Sequence, residues 1–143
     1  MFRVHQFSKV EMFSFCTPDA SADEHERILA IEEQILQGLG LPYRVVNVAA
    51  GDLGAPAVKK YDCEGWFAHQ QRYRELTSTS NTTDFQARRL GIRARFDGKN
   101  LEPVHTLNGT AVTDRATLAI LENFQGDVPD VLRQYGAPER VGR

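Results

Sequence analysis

The order of the hydrophobic periods does most to limit what this chain can fold into. Runs rich in β-formers succeed one another with short breaks, and helical periodicity is sparse. Residues 2–16 alternate Val10, Met12 and Ser14 with Glu11, Phe13 and Phe15, and read as one long strand or a bent pair. Further strands are expected over 43–48, 58–67 and 73–78. A pair over 91–96 and 101–107 flanks the turn Asp97-Gly98-Lys99-Asn100. One long amphipathic segment interrupts them. Over residues 21–39, Ile28, Ile31, Ile35 and Leu39 form a single apolar stripe. Ser21 with Glu24 has the form of a capping box. Gly38, Gly40 and Pro42 end that helix. A short helix over 85–90 follows Thr82-Thr83-Asp84, and a last one over 114–125 aligns Leu118, Leu121 and Phe124. Strand after strand with few helices argues for an α+β fold, a mainly antiparallel sheet flanked by helices.

The chain's 143 residues suit one domain. Its 17 basic and 19 acidic side chains leave a net charge of -2, so no global signature of nucleic-acid binding exists. Contact with RNA would need a local basic patch. Cys16 and Cys63 form no CxxC pair, and the four His complete no zinc-like spacing. Reduced, partly buried thiols are the plain reading. No apolar run approaches the ~20 residues that span a membrane, and the first residues hold no apolar signal region, so a cytoplasmic protein is expected.

Three polar clusters stand out. Arg3, His5, Phe7, Lys9 and Glu11 would share one face of a strand. A cation, an aromatic ring and a carboxylate in a row suit a ligand with phosphate, base and ammonium groups. A solvated outer face with ion pairs is the plainer alternative. In Arg74-Glu75-Leu76-Thr77-Ser78, Glu75 and Ser78 could offer two oxygens to a hard cation such as Mg²⁺; the alternative is a strand end running into a capped helix. Asn108-Gly109-Thr110 reads as a loop that brings a hydroxyl and backbone near a small ligand. Arg115, close to a helix start, opposes the helix dipole. That conflict suits either an anionic ligand or a surface arginine of small cost.

Together these segments resemble one family. RVHQFSKVE (3–11) is similar to the second strand of motif 2 in seryl-tRNA synthetases, which are class II aminoacyl-tRNA synthetases. Gly51-Asp52-Leu53-Gly54, Lys60-Tyr61-Asp62, Trp66 and YRELTSTSNTTDFQARR (73–89) match in the same order. So do HTLNGT (105–110) and RATLAILENFQ (115–125), which resemble motif 3. The resemblance runs from about residue 2 to residue 139. It departs at His69-Gln70-Gln71, where the family has a Pro-Gly turn.

The resemblance implies roles. Phe7 would stack on the adenine of ATP, and Val4 would offer backbone contacts beside it. Glu75, Leu76, Thr77 and Ser78 would form the ATP stretch, with Glu75 and Ser78 on Mg²⁺. Glu11 would hold the ammonium of L-serine, with Asn108 and Thr110 at the serine pocket. Arg115 would clamp the γ-phosphate, and it and Glu11 would carry the catalytic role. The implied partners are L-serine, ATP and tRNA(Ser), with a homodimer in the complete family and no membrane. The family also has a tRNA-gripping coiled coil, motif 1, a Thr-x-Glu loop and a first motif 2 strand. None lies within these 143 residues, so residues 1–143 are expected to be a partial catalytic domain with little activity alone. Residues 2–16 are expected to show a free edge. A stand-alone paralogue that binds ATP or seryl-adenylate without charging tRNA is the alternative. A non-enzymatic module would predict drift at Glu11, Glu75 and Arg115, and all three are in place.

Overall fold

The computed structural model describes residues 2–98 and 100–141. Its strands are β1 (Lys9–Cys16), β2 (Tyr43–Asn47), β3 (Lys59–Phe67), β4 (Arg72–Asn81), β5 (Arg93–Ala94), β6 (Glu102–Pro103) and β7 (His105–Thr113). Its α-helices are α1 (Ser21–Gly38), α2 (Phe85–Leu90) and α3 (Asp114–Phe124). Five strands make one antiparallel sheet in the order β1-β7-β4-β3-β2, and β5 and β6 pair as a separate ribbon. The mainly antiparallel sheet flanked by helices is the architecture expected from the sequence. β1 lies at one edge of the sheet, with Phe13 and Phe15 exposed.

One face of the sheet is the core face. Leu29 and Leu36 from α1 meet Ala119 and Ile120 from α3, Cys63 and Phe67 from β3, and Leu76 from β4. Both thiols are free, Cys63 buried and Cys16 partly so. Alternation then sends the neighbouring strand residues to the opposite face, and that face carries the candidate site.

Several local expectations differ from what the chain does. The capping box does not form. A 3-10 turn, Pro18–Ala20, precedes α1, so Ala20 is the N-cap and Ser21 already lies in the helix. Ser21 Oγ donates to Pro18 O at 2.9 Å, and Glu24 turns to Ser14 and Arg27 instead. Residues 2–8 are not strand. β7 ends at Thr113, the partner of Lys9, so no ladder remains for them. Ser8 N instead donates to the Asp114 carboxylate at 3.0 Å. The predicted strand 73–78 extends to Arg72–Asn81, and the predicted 91–96 shrinks to Arg93–Ala94. Asn108-Gly109-Thr110 is not a loop but the middle of β7. In the 97–100 turn, Lys99 lies outside the described residues. Asn100 N reaches Asp97 Oδ1 at 3.0 Å across it.

Two titratable groups of α1 are fully buried. The His25 ring stacks on Tyr61 at 5.2 Å between centroids, and burial pushes its pKa down. Burial pushes Glu32 up to about 7 against the hydrogen bond from Thr77, and the charges of Glu11 and Asp62 push the same way. The native state thus holds the Glu32 proton more tightly than the unfolded chain. This contribution is fully present below about pH 4.5 and is lost as pH rises through about 7, a change of about 3 kcal/mol. His25 acts at the other end: its depressed pKa costs stability as pH falls below 6.5. Melting temperature measured from pH 5.5 to 8.5 is expected to fall with rising pH, and to fall less in Glu32→Gln. An equal slope in the two proteins would rule this origin out.

Candidate functional site

The sheet register assembles the first part of the site. Glu11 pairs with Thr110, and Phe13 with Asn108, across the β1–β7 ladder. The Glu11 carboxylate accepts from Thr110 Oγ1 at 2.8 Å, from Asn108 Nδ2 at 3.1 Å and from Lys9 Nζ at 2.8 Å. Burial works to raise the Glu11 pKa. The hydrogen bonds from Lys9, Asn108 and Thr110, with the charge of Lys9, outweigh it and hold the carboxyl below its ordinary value. Glu11 is therefore an anion with Asn108 and Thr110 beside it. Gly109, between those two, faces the helices: a Cβ there would lie 2.3 Å from Ile28 Cγ2. Asn108 and Thr110 thus project from the face opposite the core.

The second part depends on a bulge. Residues three apart on a regular strand point to opposite faces. Yet Glu75 pairs with Glu64 and Ser78 with Asp62, two positions apart on β3, because the register shifts at Cys63/Glu64. The extra residue on β4 brings Glu75 and Ser78 to the same face. Ser80, next on that face, pairs with Asn108, so this face is the one that carries Asn108 and Thr110. Leu76 and Thr77 are buried toward the core, Thr77 Oγ1 donating to Glu32 at 2.9 Å. Only their backbone can reach a ligand on the open face.

The third part is a hollow of about 250 Å³ lined by Phe2, Arg3, Val4, Phe7, Thr113, Asp114, Arg115 and Leu118. Val4 and Phe7 are more than half exposed there. Arg115 is the second residue of α3, and its guanidinium turns back to β4. Nη1 donates to Glu75 O at 2.9 Å and lies 3.3 Å from Glu75 Oε2. Arg115 and Arg74 both face the Phe2 ring, 4.5 and 4.3 Å from its centroid. Desolvation, then the charges of Arg72, Arg3 and Arg115, push the Arg74 pKa down. Such a cluster of guanidinium groups suits a polyanion.

The structure therefore brings Glu11, Asn108 and Thr110 together, joins Glu75 to Arg115, and places Val4 and Phe7 in the hollow beside Arg115. It does not keep Arg3, His5 and Phe7 in one strand row with Glu11. The residues that sequence reasoning did not single out are Phe2, Lys9 as the partner of Glu11, and Arg74. The Arg72-x-Arg74 spacing was the available signal for the last. A second hollow, about 340 Å³, opens on the Asn108 side between Asp52, Lys60, Ser80 and Gln86.

Glu75 and Ser78 could give a hard cation two oxygens, its other positions left to phosphate and water. Among the described residues no group of three or more His, Cys, Asp or Glu is placed to hold a metal. Two protein oxygens would leave most positions of a hard cation to other ligands. No helix among the described residues is long and apolar enough to cross a membrane.

Residues 1–124 match the family described as tRNA synthetase class II core domain (G, H, P, S and T). The chain belongs to that family. Its relatives narrow the branch. The serine–tRNA ligase of Rubrobacter xylanophilus is 51% identical over 148 residues, covering 99% of this chain and 35% of the relative. That of Beutenbergia cavernae is 58% identical over 138 residues, covering 93% and 33%. Among solved structures, seryl-tRNA synthetase from Pyrococcus horikoshii complexed with ATP superposes with a TM-score of 0.93 at 47% identity, covering 99% of this chain and 34% of that one. The cytoplasmic serine-tRNA ligase of Naegleria fowleri in complex with AMP gives 0.87 at 40% identity, covering 98% and 35%. This class II synthetase chain spans about a third of the length of the relatives it matches.

Proposed function

We propose that the chain is the C-terminal part of the catalytic domain of a serine–tRNA ligase. The complete enzyme activates L-serine with ATP and transfers it to tRNA(Ser) in the cytoplasm, as a homodimer. The observation that carries this reading is the face itself. The β4 bulge places Glu75 and Ser78 on the face that holds Glu11, Asn108 and Thr110, with Arg115 bonded to Glu75. Serine relatives and an ATP-complexed neighbour point the same way.

On this reading the serine ammonium sits on the Glu11 carboxylate, displacing Lys9. Asn108 and Thr110 approach its hydroxyl, and alanine would leave those groups unpaired. Adenine stacks on Phe7, with Val4 and the backbone of Leu76 and Thr77 alongside. Glu75 and Ser78 would hold Mg²⁺, which would neutralise negative charge, and Arg115 exchanges its Glu75 contact for the γ-phosphate. The serine carboxylate attacks the α-phosphorus, the bond to the β-phosphate bridging oxygen breaks, and pyrophosphate leaves. No side chain need act as nucleophile, since positioning and neutralised phosphate charge lower the barrier.

The test uses the complete polypeptide encoded around this chain. Serine-dependent exchange of labelled pyrophosphate into ATP is expected, followed by charging of tRNA(Ser). Exchange without charging would favour a stand-alone adenylate-binding paralogue. Absence of both would overturn the proposal. The 143-residue chain by itself is expected to charge tRNA at a small fraction of that rate, and charging at a comparable rate would contradict the partial-domain reading.

A further inference from the structure

The Glu32 carboxyl touches no part of the open face, yet it contacts the backs of both halves of the site. It is fully buried between α1 and the sheet. Its Oε2 accepts from Thr77 Oγ1 at 2.9 Å. Thr77 lies in the β4 bulge, between Glu75 and Ser78. Its Oε1 lies under β7, where a Cβ on Gly109 would come within 2.8 Å of it. Gly109 stands between Asn108 and Thr110.

Packing alone does not account for an acid at this place. Oε1 has no hydrogen-bond partner. Thr77 from β4 and Cys63 from β3 hydrogen-bond to the carboxyl, the charges of Glu11 and Asp62 act on it from further off, and none of these groups is basic. On α1 itself His25 stands two turns away with its ring on Tyr61. A buried carboxyl served only by a hydroxyl and a thiol, with no basic partner, costs stability, and an apolar side chain of similar volume would fill the space without that cost. What the carboxyl provides is direction: one oxygen on the bulge, the other against the glycine strand.

We propose that Glu32 is a positioning residue that keys the two halves of the site from behind the sheet. Through Thr77 it fixes the bulge that aligns Glu75 with Ser78. Against Gly109 it sets how far the Asn108–Thr110 segment stands below Glu11. The inference rests on the function proposed above. A loss of registry of about 1 Å at a site that works by alignment is enough for a fall of about a hundredfold.

The experiment is pyrophosphate exchange by the complete polypeptide, with kcat/KM for serine and for ATP measured alongside melting temperature. Glu32→Leu is expected to lose about tenfold to a hundredfold against both substrates while melting no lower than the parent. Glu32→Gln, which keeps both heavy-atom contacts, is expected to stay within about threefold. Thr77→Val, which removes the hydroxyl that ties the bulge to Glu32 and to Cys63, is expected to lose against ATP and not against serine. If Glu32→Leu fails to fold, Thr77→Val decides alone. A folded Glu32→Leu with both kcat/KM values intact, or a Thr77→Val with its ATP value intact, overturns the inference. A parent polypeptide with no serine-dependent exchange sinks the proposed function instead, so the two failures are distinct.

Discussion

Replacing Glu11 with Ala is expected to remove serine-dependent pyrophosphate exchange while leaving ATP binding in place. Three donors converge on this carboxylate: Lys9, Asn108 and Thr110, at 2.8, 3.1 and 2.8 Å. Together they keep it ionised. It is an anion bonded directly to the two side chains proposed to read serine. Taking it away would delete the counter-charge proposed for the serine ammonium and strand a buried Thr110 hydroxyl. A charge-assisted hydrogen bond of about 2 to 3 kcal/mol corresponds to roughly a hundredfold in kcat/KM for serine. Glu11→Gln keeps the contacts to Asn108 and Thr110 but not the charge, and should fall between the two. Phe7, Val4 and Arg115 lie off the β1–β7 ladder, so the dissociation constant for ATP should hardly move. An Ala variant with undiminished exchange would show that serine sits elsewhere. Parallel loss of ATP binding and melting temperature would show that Glu11 only holds the fold.

Gly109→Ala is expected to cost more stability than any other single-methyl addition at a glycine on the sheet. The new Cβ would stand 2.3 Å from Ile28 Cγ2, 2.8 Å from Glu32 Oε1 and 3.2 Å from Thr79 Oγ1. Ile28 is buried and branched at Cβ, so its methyl cannot rotate clear without carrying the helix with it. Either α1 lifts from β7 or β7 bows outward, and both move Asn108 and Thr110 away from Glu11. Overpacking of this kind costs about 3 kcal/mol, or roughly 10 °C in melting temperature for a domain of this size. Gly65→Ala is the control. Its Cβ would meet Leu76 Cδ1 at 2.4 Å and Cγ at 3.0 Å, atoms of one side chain, unbranched at Cβ, that can repack without moving a helix, so its cost should be smaller, about 2 kcal/mol. Thermal melts of the two variants read the difference. Equal costs, or a Gly109→Ala protein of parental stability, would mean that α1 does not clamp β7 as described.

What the sequence made legible was periodicity. The apolar stripe of Ile28, Ile31, Ile35 and Leu39 marked α1, and Leu118, Leu121 and Phe124 marked α3, because helical spacing survives any tertiary setting. The succession of β-type runs gave the antiparallel sheet. Features set by one element pressing on another were not legible. Asn108-Gly109 carries the composition of a loop, yet it is mid-strand because the helix leaves no room for a side chain at 109. Ser21 has the right neighbour for a capping box, but a 3-10 turn upstream already starts the helix. The shared face of Glu75 and Ser78 needs a bulge that no residue type announces. Conversely, the row from Arg3 to Glu11 looked continuous because alternation takes no account of where the partner strand ends. The family resemblance had named Glu11, Asn108 and Thr110 as one pocket. The register supplies the physical reason they meet.

Binding of seryl-adenylate on this open face is tested by a crystal structure of the complete polypeptide with a non-hydrolysable seryl-adenylate analogue. The expected result is the ammonium within hydrogen-bond distance of Glu11 in place of Lys9, the hydroxyl near Thr110 and Asn108, the adenine against Phe7, and Arg115 released from Glu75. An analogue bound away from this face, or on it with the Lys9–Glu11 pair and the Arg115–Glu75 pair both intact, would contradict it.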